Sequence, residues 1–162
     1  MPRSQSLNNV SPRVPRGGTH QVFAQRLFPT HLWYSSWELG VRAQALLELD
    51  SPRYSVTTKG AKLPPGNSNP PSSLSDVFTI ARNVVSEENP TRNTPEPFID
   101  DGSVGDPPSV GVAVILANLT NQQSTDGQNY AQAIQNQFDY LYTVPRTSDG
   151  AISHRVGQVQ LW

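Results

Sequence analysis

The sequence contains no cysteine, so disulfide bonds and thiolate metal sites are excluded. Its three histidines lack the HExxH-type spacing of a zinc site. It also has no phosphate loop, no dinucleotide-binding fingerprint and no GxSxG turn for a nucleophilic serine. We therefore expect no metal and no cofactor, and no catalytic triad built on a nucleophile elbow.

Apolar residues are scarce as well. Only 35% of the 162 residues are hydrophobic, and 15 prolines and 11 glycines interrupt the chain. No apolar run approaches the roughly 18 residues of a membrane span, and none near Met1 matches a secretory signal. The sequence predicts no membrane partner. Its localisation stays open between the cytoplasm and secretion from a different natural start.

Negative charge is missing from the start of the chain, because no acidic residue precedes Glu38. The overall net charge of −1 gives no bias towards nucleic acid. Arginines in an acid-poor start are typical of a mitochondrial transit peptide, but the prolines and glycines between Pro12 and Gly18 interrupt an amphipathic helix. We predict a disordered arm over residues 1–27 and a domain over residues 28–162.

Hydrophobic periodicity predicts four helices and an all-α fold. The predicted bounds are His31–Asp50, Ser73–Glu88, Asp106–Thr120 and Asp126–Val144. The first helix carries two apolar faces, one containing Leu39 and Ala43 and the other Trp37 and Val41, which favours packing on both sides. The third contains a β-branched run that is also compatible with a buried strand.

Capping signals define the helix starts. Thr30 is the candidate N-cap of the first helix, Asp106 of the third and Asp126 of the fourth. Pro107 suits the first position of the third helix. Ser73, three residues before Asp76, resembles a capping box.

Two groups of polar residues are candidates for chemistry. Asp100 and Asp101 precede a helix start, where paired carboxylates can supply an acid and a base, although turn and capping chemistry explain them equally. His154 and Arg155 suit recognition of a carboxylate, and the alternative is an ordinary surface loop. Trp37 and its neighbour Trp33 can stack on a sugar ring or pack in the core.

Three stretches, taken in order, resemble the N-terminal part of fungal six-hairpin glycosidase-like proteins, and in particular the unsaturated uronyl hydrolases of glycoside hydrolase families 88 and 105. They are "PTHLWYSSWELGVRAQALLELDSPRYSV", "FIDDGSVGDPPSVGVAVILANLT" and "YAQAIQNQFDYLYTVPRTSDGAISHRVGQVQLW". The most specific part is "DGAISHR" running into "LW". The resemblance covers about Phe28 to Trp162 and leaves the first 27 residues unmatched.

The resemblance implies an (α/α)6 toroid and a carbohydrate-active hydrolase of the unsaturated glucuronyl or rhamnogalacturonyl type. Such an enzyme hydrates the C4–C5 double bond of a terminal unsaturated uronic acid in pectin-type oligosaccharides. It implies that Asp100 or Asp101 belongs to an acidic pair at the pocket and that His154 is a substrate-loop histidine. Trp162 matches the tryptophan of a W-x-D motif whose aspartate is the general acid.

That aspartate is expected just after Trp162 and is absent from the chain. We therefore expect an incomplete toroid over residues 28–162 that is inactive alone, with exposed inner faces that favour aggregation. The substrate-binding residues implied for an unsaturated uronide oligosaccharide are Trp33, Trp37, His154, Arg155 and Trp162. The alternative is a non-catalytic helical module that binds a sugar or a protein partner.

Overall fold

The structure is a computed structural model that describes residues 35–61, 63, 70–87 and 94–156. The chain divides into two units, Met1–Trp33 and Tyr34–Trp162, and every described residue belongs to the second. The predicted arm over residues 1–27, together with Trp33 and Trp162, lies outside the described residues. The predicted domain start at residue 28 also lies outside them and stays a prediction.

The described part of the chain is all-α, as predicted from its periodicity. Within it, strand-like pairing is limited to two isolated bridges. None of its helices is long and apolar enough to cross a membrane. The described residues form three 3-10 turns, at Pro52–Tyr54, Ser72–Leu74 and Pro107–Val110, and five α-helices: α1 Ser36–Asp50, α2 Ser75–Glu87, α3 Gly111–Leu119, α4 Gln123–Asp126 and α5 Tyr130–Thr143.

The first helix begins later than predicted. Ser35 has extended backbone angles and is the N-cap of α1. The backbone N–H and the hydroxyl of Ser35 both donate to the Glu38 carboxylate at 3.0 Å. Ser35 and Glu38 have the serine-to-glutamate spacing of a capping box. The predicted start at His31 with Thr30 as its cap is therefore wrong for α1.

One face of α1 packs closely on the 3-10 turn Pro107–Val110. A Cβ atom added to Gly40 would lie 2.3 Å from Ser109 Oγ, so the absence of a side chain permits this contact. The opposite face is open: Trp37 is 50% exposed and Val41 is 60% exposed. The prediction that both faces of this helix are packed is therefore wrong for these residues.

Helix α3 lies at the centre of the core and contacts α1, α2 and α5. Its run of small and β-branched residues forms a helix and not the alternative strand. Pro107 occupies the first position of the preceding 3-10 turn, but the Asp106 side chain makes no cap hydrogen bond. The start of α3 is therefore set by the 3-10 turn and not by a carboxylate cap.

Two further predictions about α5 are corrected. Its cap is Asn129, whose side chain accepts a hydrogen bond from Gln132 N at 3.1 Å. Asp126 instead ends α4 and accepts a hydrogen bond from the buried Tyr130 hydroxyl. Helix α5 begins at Tyr130 and not at the predicted Asp126, and its apolar residue Phe138 is 54% exposed.

We expect Gly40→Ala to lower the free energy of unfolding by about 1–3 kcal/mol, because its methyl group overpacks against Ser109. Alanine normally stabilises a helix interior relative to glycine, so the sign of the change tests the contact. Gly111→Ala is the matched control, since a Cβ there would lie 3.5 Å from Phe98 Cε2, an ordinary contact. Chemical denaturation that finds Gly40→Ala as stable as the wild type would contradict this packing.

Candidate functional site

Two segments that are distant in sequence meet on the surface. They are residues 100–106 and residues 153–156, and we call them together the loop pair. Val104 N donates to His154 O at 2.8 Å, and Ser103 Oγ donates to the same carbonyl at 3.2 Å. The candidate residues Asp100, Asp101, His154 and Arg155, predicted separately, therefore lie in one region of the molecule.

The second segment of the loop pair is held by a turn that follows α5. Thr147 N donates to Ala151 O at 2.9 Å, and Gly150 at the end of the turn has a φ of 91°. That backbone conformation favours glycine. The Arg146 guanidinium donates to Gly150 O at 3.1 Å and to Leu141 O at 2.9 Å. These contacts tie the turn to the end of α5.

Asp101 connects the loop pair to the start of α1. Its Oδ2 atom accepts hydrogen bonds from Ser36 N at 2.9 Å and from Ser36 Oγ at 2.6 Å. Its Oδ1 atom accepts a hydrogen bond from Ser103 N at 3.1 Å. Ser36 is the first residue of α1, so the carboxylate satisfies a backbone N–H that has no partner within the helix.

These hydrogen bonds determine the protonation of Asp101. Burial alone would raise its pKa, but the bonds from the Ser36 hydroxyl and from the backbone N–H groups of Ser36 and Ser103 outweigh burial and lower it. The carboxyl group is therefore ionised near neutral pH. It can accept hydrogen bonds, and it is poorly suited to donate a proton.

Asp100 has different surroundings from its neighbour, because its side chain is exposed. Tyr140 on α5 is partly buried, and burial together with the negative charge of Asp100 raises its pKa. The sequence alone did not distinguish Asp100 from Asp101, and in the structure the two carboxylates have different surroundings. Asp101 is held by the protein, whereas the Asp100 side chain is exposed to solvent.

His154 faces Asp106 across the loop pair. The distance from His154 Nε2 to Asp106 Oδ2 is 3.6 Å, and the histidine side chain is 56% exposed. Gly105 allows this approach, since a Cβ there would lie 2.9 Å from His154 Nδ1. Arg155 is exposed next to it. An imidazole and a guanidinium beside one another can bind a carboxylate of a ligand.

Of the three candidate tryptophans, only Trp37 is described. It directly follows Ser36, the residue that binds Asp101, and half of its surface is exposed. The sequence analysis missed Ser36, Ser103 and Tyr140. The sequence did contain a signal for Ser36, because the capping box formed by Ser35 and Glu38 defines where α1 starts.

The described residues contain no group of three histidine, aspartate or glutamate side chains arranged to hold a metal ion. The loop pair brings several polar side chains together. It has three carboxylates, of which Asp100 is exposed, Asp101 is anchored and Asp106 faces the histidine, together with His154 and Arg155. Such a set can bind hydroxyl and carboxylate groups of a polar ligand.

We expect Asp101→Asn to destabilise the protein by about 1–3 kcal/mol, because hydrogen bonds to a charged group at a helix start are weakened. Asp100→Asn is the matched control, since it removes one carboxylate charge from the same segment without disturbing Ser36. Equal unfolding free energies for the two variants, measured by chemical denaturation, would contradict the anchoring role of Asp101.

The lowered pKa of Asp101 also predicts a dependence of stability on pH. A carboxyl group with a lower pKa in the folded state stabilises the fold above its unfolded pKa, and this contribution is lost as the pH falls through the folded pKa. The stability difference between wild type and Asp101→Asn should therefore shrink from neutral pH to about pH 3. Unfolding curves in which the difference stays constant would argue against this ionised carboxylate.

Comparison with known proteins found no relative of this chain. No family model matches the chain, and no curated protein or solved structure matches it. The residues of the loop pair and the resemblance in the sequence are therefore the grounds on which a function can be argued.

Proposed function

We propose that the chain is part of a carbohydrate-active hydrolase of the unsaturated uronyl hydrolase type, and that the loop pair binds the unsaturated uronide. The observation that carries this proposal is the contact between the segment of Asp100 and Asp101 and the segment of His154. The resemblance implied that both segments contact the substrate, and about fifty residues separate them in sequence. Their contact in the structure supports the proposal.

The side chains have distinct roles in this proposal. Arg155 and His154 bind the carboxylate of the uronic acid, because a guanidinium forms charge-assisted hydrogen bonds with a carboxylate and an imidazole N–H can donate to one. Asp100 accepts a hydrogen bond from a hydroxyl of the sugar. Asp101 holds the loop on α1 and stays ionised, so the proton that must reach the C4–C5 double bond comes from another group.

The reaction begins with protonation of the double bond at C4, which creates a cation at C5 that is stabilised by the ring oxygen. Water adds to C5 and loses a proton, and the resulting hemiketal opens by breaking the bond from C5 to the ring oxygen. The hemiacetal left at C1 then breaks its bond to the neighbouring sugar and becomes an aldehyde. General acid catalysis of the first step requires a carboxyl group that is still protonated near neutral pH. The geometry of the loop pair supports a role in binding and orienting the uronide.

The helical arrangement is compatible with an (α/α)6 toroid, which we include in the proposal. Helices α3 and α5 contact each other and are connected through the short α4, as in one hairpin of such a fold. The loop pair follows the end of α5 and precedes the start of α3. Residues at the ends of hairpins would line the pocket of a toroid.

A second candidate function is a non-catalytic helical interaction module. It is favoured by an apolar groove of about 800 Å³ between α1 and α3. Val41, Val56 and Ile115 line the groove and are exposed. Exposed apolar surfaces of this kind are typical of binding sites for other molecules.

We expect the protein to bind an unsaturated galacturonyl disaccharide, and Arg155→Gln to weaken binding about tenfold or more, because a charge-assisted hydrogen bond is lost. Calorimetry or changes in NMR spectra would measure the affinity. Arg53→Gln is the control, since Arg53 donates to Tyr54 away from the loop pair.

Each outcome has a defined meaning. No binding of the disaccharide by the wild type would overturn the proposal and leave the interaction module. Equal binding of the unsaturated disaccharide and its saturated counterpart would support a sugar-binding module over a uronyl hydrolase. Loss of affinity in both arginine variants would mean that general charge, and not Arg155, determines binding.

A further inference from the structure

The apolar groove between α1 and α3 has three walls. Helix α1 contributes Val41 and Gln44, and α3 contributes Ile115. The segment that follows α1 forms the third wall with Tyr54 and Val56. Among the described lining residues, every apolar side chain except the tyrosine is aliphatic. Because the hydrophobic effect is not directional, such a lining favours a flexible aliphatic chain.

The groove has the size of a site for a small molecule. Its volume of about 800 Å³ lies within the roughly 300–1,000 Å³ that is typical of ligand pockets, which combine an apolar lining with a few polar groups. Val41 is 60% exposed and Ile115 is 45% exposed. A ligand in the groove would therefore remove apolar surface of both helices from water, which is favourable.

A guanidinium group lies beside the groove. Arg53 Nη2 donates to the Tyr54 hydroxyl at 2.9 Å, and Arg53 Cζ lies 4.9 Å from the centroid of the Tyr54 ring, which lines the groove. A guanidinium carries five N–H groups in a planar fork, and this contact uses one of them. The arginine is exposed, so a carboxylate of a ligand can approach it and accept further hydrogen bonds. The tyrosine hydroxyl, which accepts from the arginine, can donate its own proton to the same carboxylate.

A carboxylate of the protein also contacts the lining, but its partners are protein groups. Glu48 Oε1 accepts hydrogen bonds from Gln44 Nε2 at 2.7 Å, from Ser55 Oγ at 3.4 Å and from the Thr57 hydroxyl. These three donors direct the negative charge towards the protein. The positive charge of Arg53, by contrast, lies over a ring that lines the groove. The charge that a ligand meets there is therefore positive and complements an anion.

We propose that the groove is a binding site for a free aliphatic carboxylate, a single-chain fatty acid. Its chain lies between α1 and α3, and its carboxylate binds Arg53 and Tyr54. Burial of the chain supplies the affinity, and the charge-assisted hydrogen bonds fix the orientation of the ligand. The described lining residues include none of the loop pair, so this inference does not depend on the proposed function.

The test measures the binding of decanoate, below its micelle concentration, to the full chain by calorimetry. Decyltrimethylammonium has the same chain and the opposite charge, and it is the control ligand. We expect decanoate to bind about tenfold more tightly than this control, because Arg53 attracts a carboxylate and repels an ammonium group.

Two sets of variants at exposed positions locate the binding. Arg53→Gln should weaken decanoate binding about fivefold, and Arg53→Lys, which keeps the charge but not the fork, should weaken it less. Val41→Gln should weaken binding about threefold, because apolar surface of the groove is lost. Leu49→Gln is the matched control and should leave binding unchanged, since Leu49 lies on the same helix, is 72% exposed and is not among the described lining residues.

Absence of decanoate binding by the wild type would overturn the proposal. Equal binding of the two decyl compounds, or an unchanged affinity in Arg53→Gln, would overturn the contact between the carboxylate and Arg53. Equal losses in Val41→Gln and Leu49→Gln would assign the binding to apolar surface in general and not to the groove. An unsaturated galacturonyl disaccharide should not displace decanoate, so decanoate binding without disaccharide binding would keep this inference while the proposed function fails.

Discussion

The contact between Asp101 and Ser36 is the interaction on which the rest of the candidate site depends. It joins residues 65 positions apart and connects the loop pair to the first turn of α1. A helix start has backbone N–H groups without partners and a partial positive charge, so a carboxylate is favourable there for two reasons. Ser109 adds a second link, because its hydroxyl donates to Ser36 O at 3.1 Å. The close approach at Gly40 follows from these links, since α1 is drawn onto the turn that carries Ser109.

This anchor explains why two adjacent aspartates can have different functions. A carboxylate that accepts three hydrogen bonds from the protein is a structural group, and its lowered pKa follows from those bonds. Among the described residues its neighbour Asp100 accepts no such hydrogen bonds, and its side chain is exposed. The sequence pattern "DDG" shows two equivalent carboxylates. Only the position of Ser36 distinguishes them, and that position depends on where α1 begins.

The parts of the fold that the sequence predicted are those set by local periodicity. The position of α2 and the end of α5 follow from the 3.6-residue repeat. The caps were less predictable, since several residues near each start are suitable and tertiary contacts select among them. Asp126 is a good N-cap by type, but the Tyr130 hydroxyl binds its carboxylate and Asn129 caps α5 instead. The two apolar faces of α1 were visible in the sequence, whereas periodicity alone does not reveal whether a partner covers Trp37. The pairing of distant loops has no local signal at all.

Ser103 makes the two halves of the loop pair a single unit. Its N–H donates to Asp101, its hydroxyl donates to His154 O, and the same hydroxyl oxygen accepts a hydrogen bond from Asp106 N at 3.1 Å. The residue is buried, so these bonds lie where water competes least and where an unpaired polar group would be costly. A shift of Asp101 would therefore disturb the partners of His154, and the reverse holds as well. Binding of a ligand carboxylate by His154 and Arg155 and of a hydroxyl by Asp100 would consequently be coupled through one buried serine, since both segments must keep their positions relative to α1.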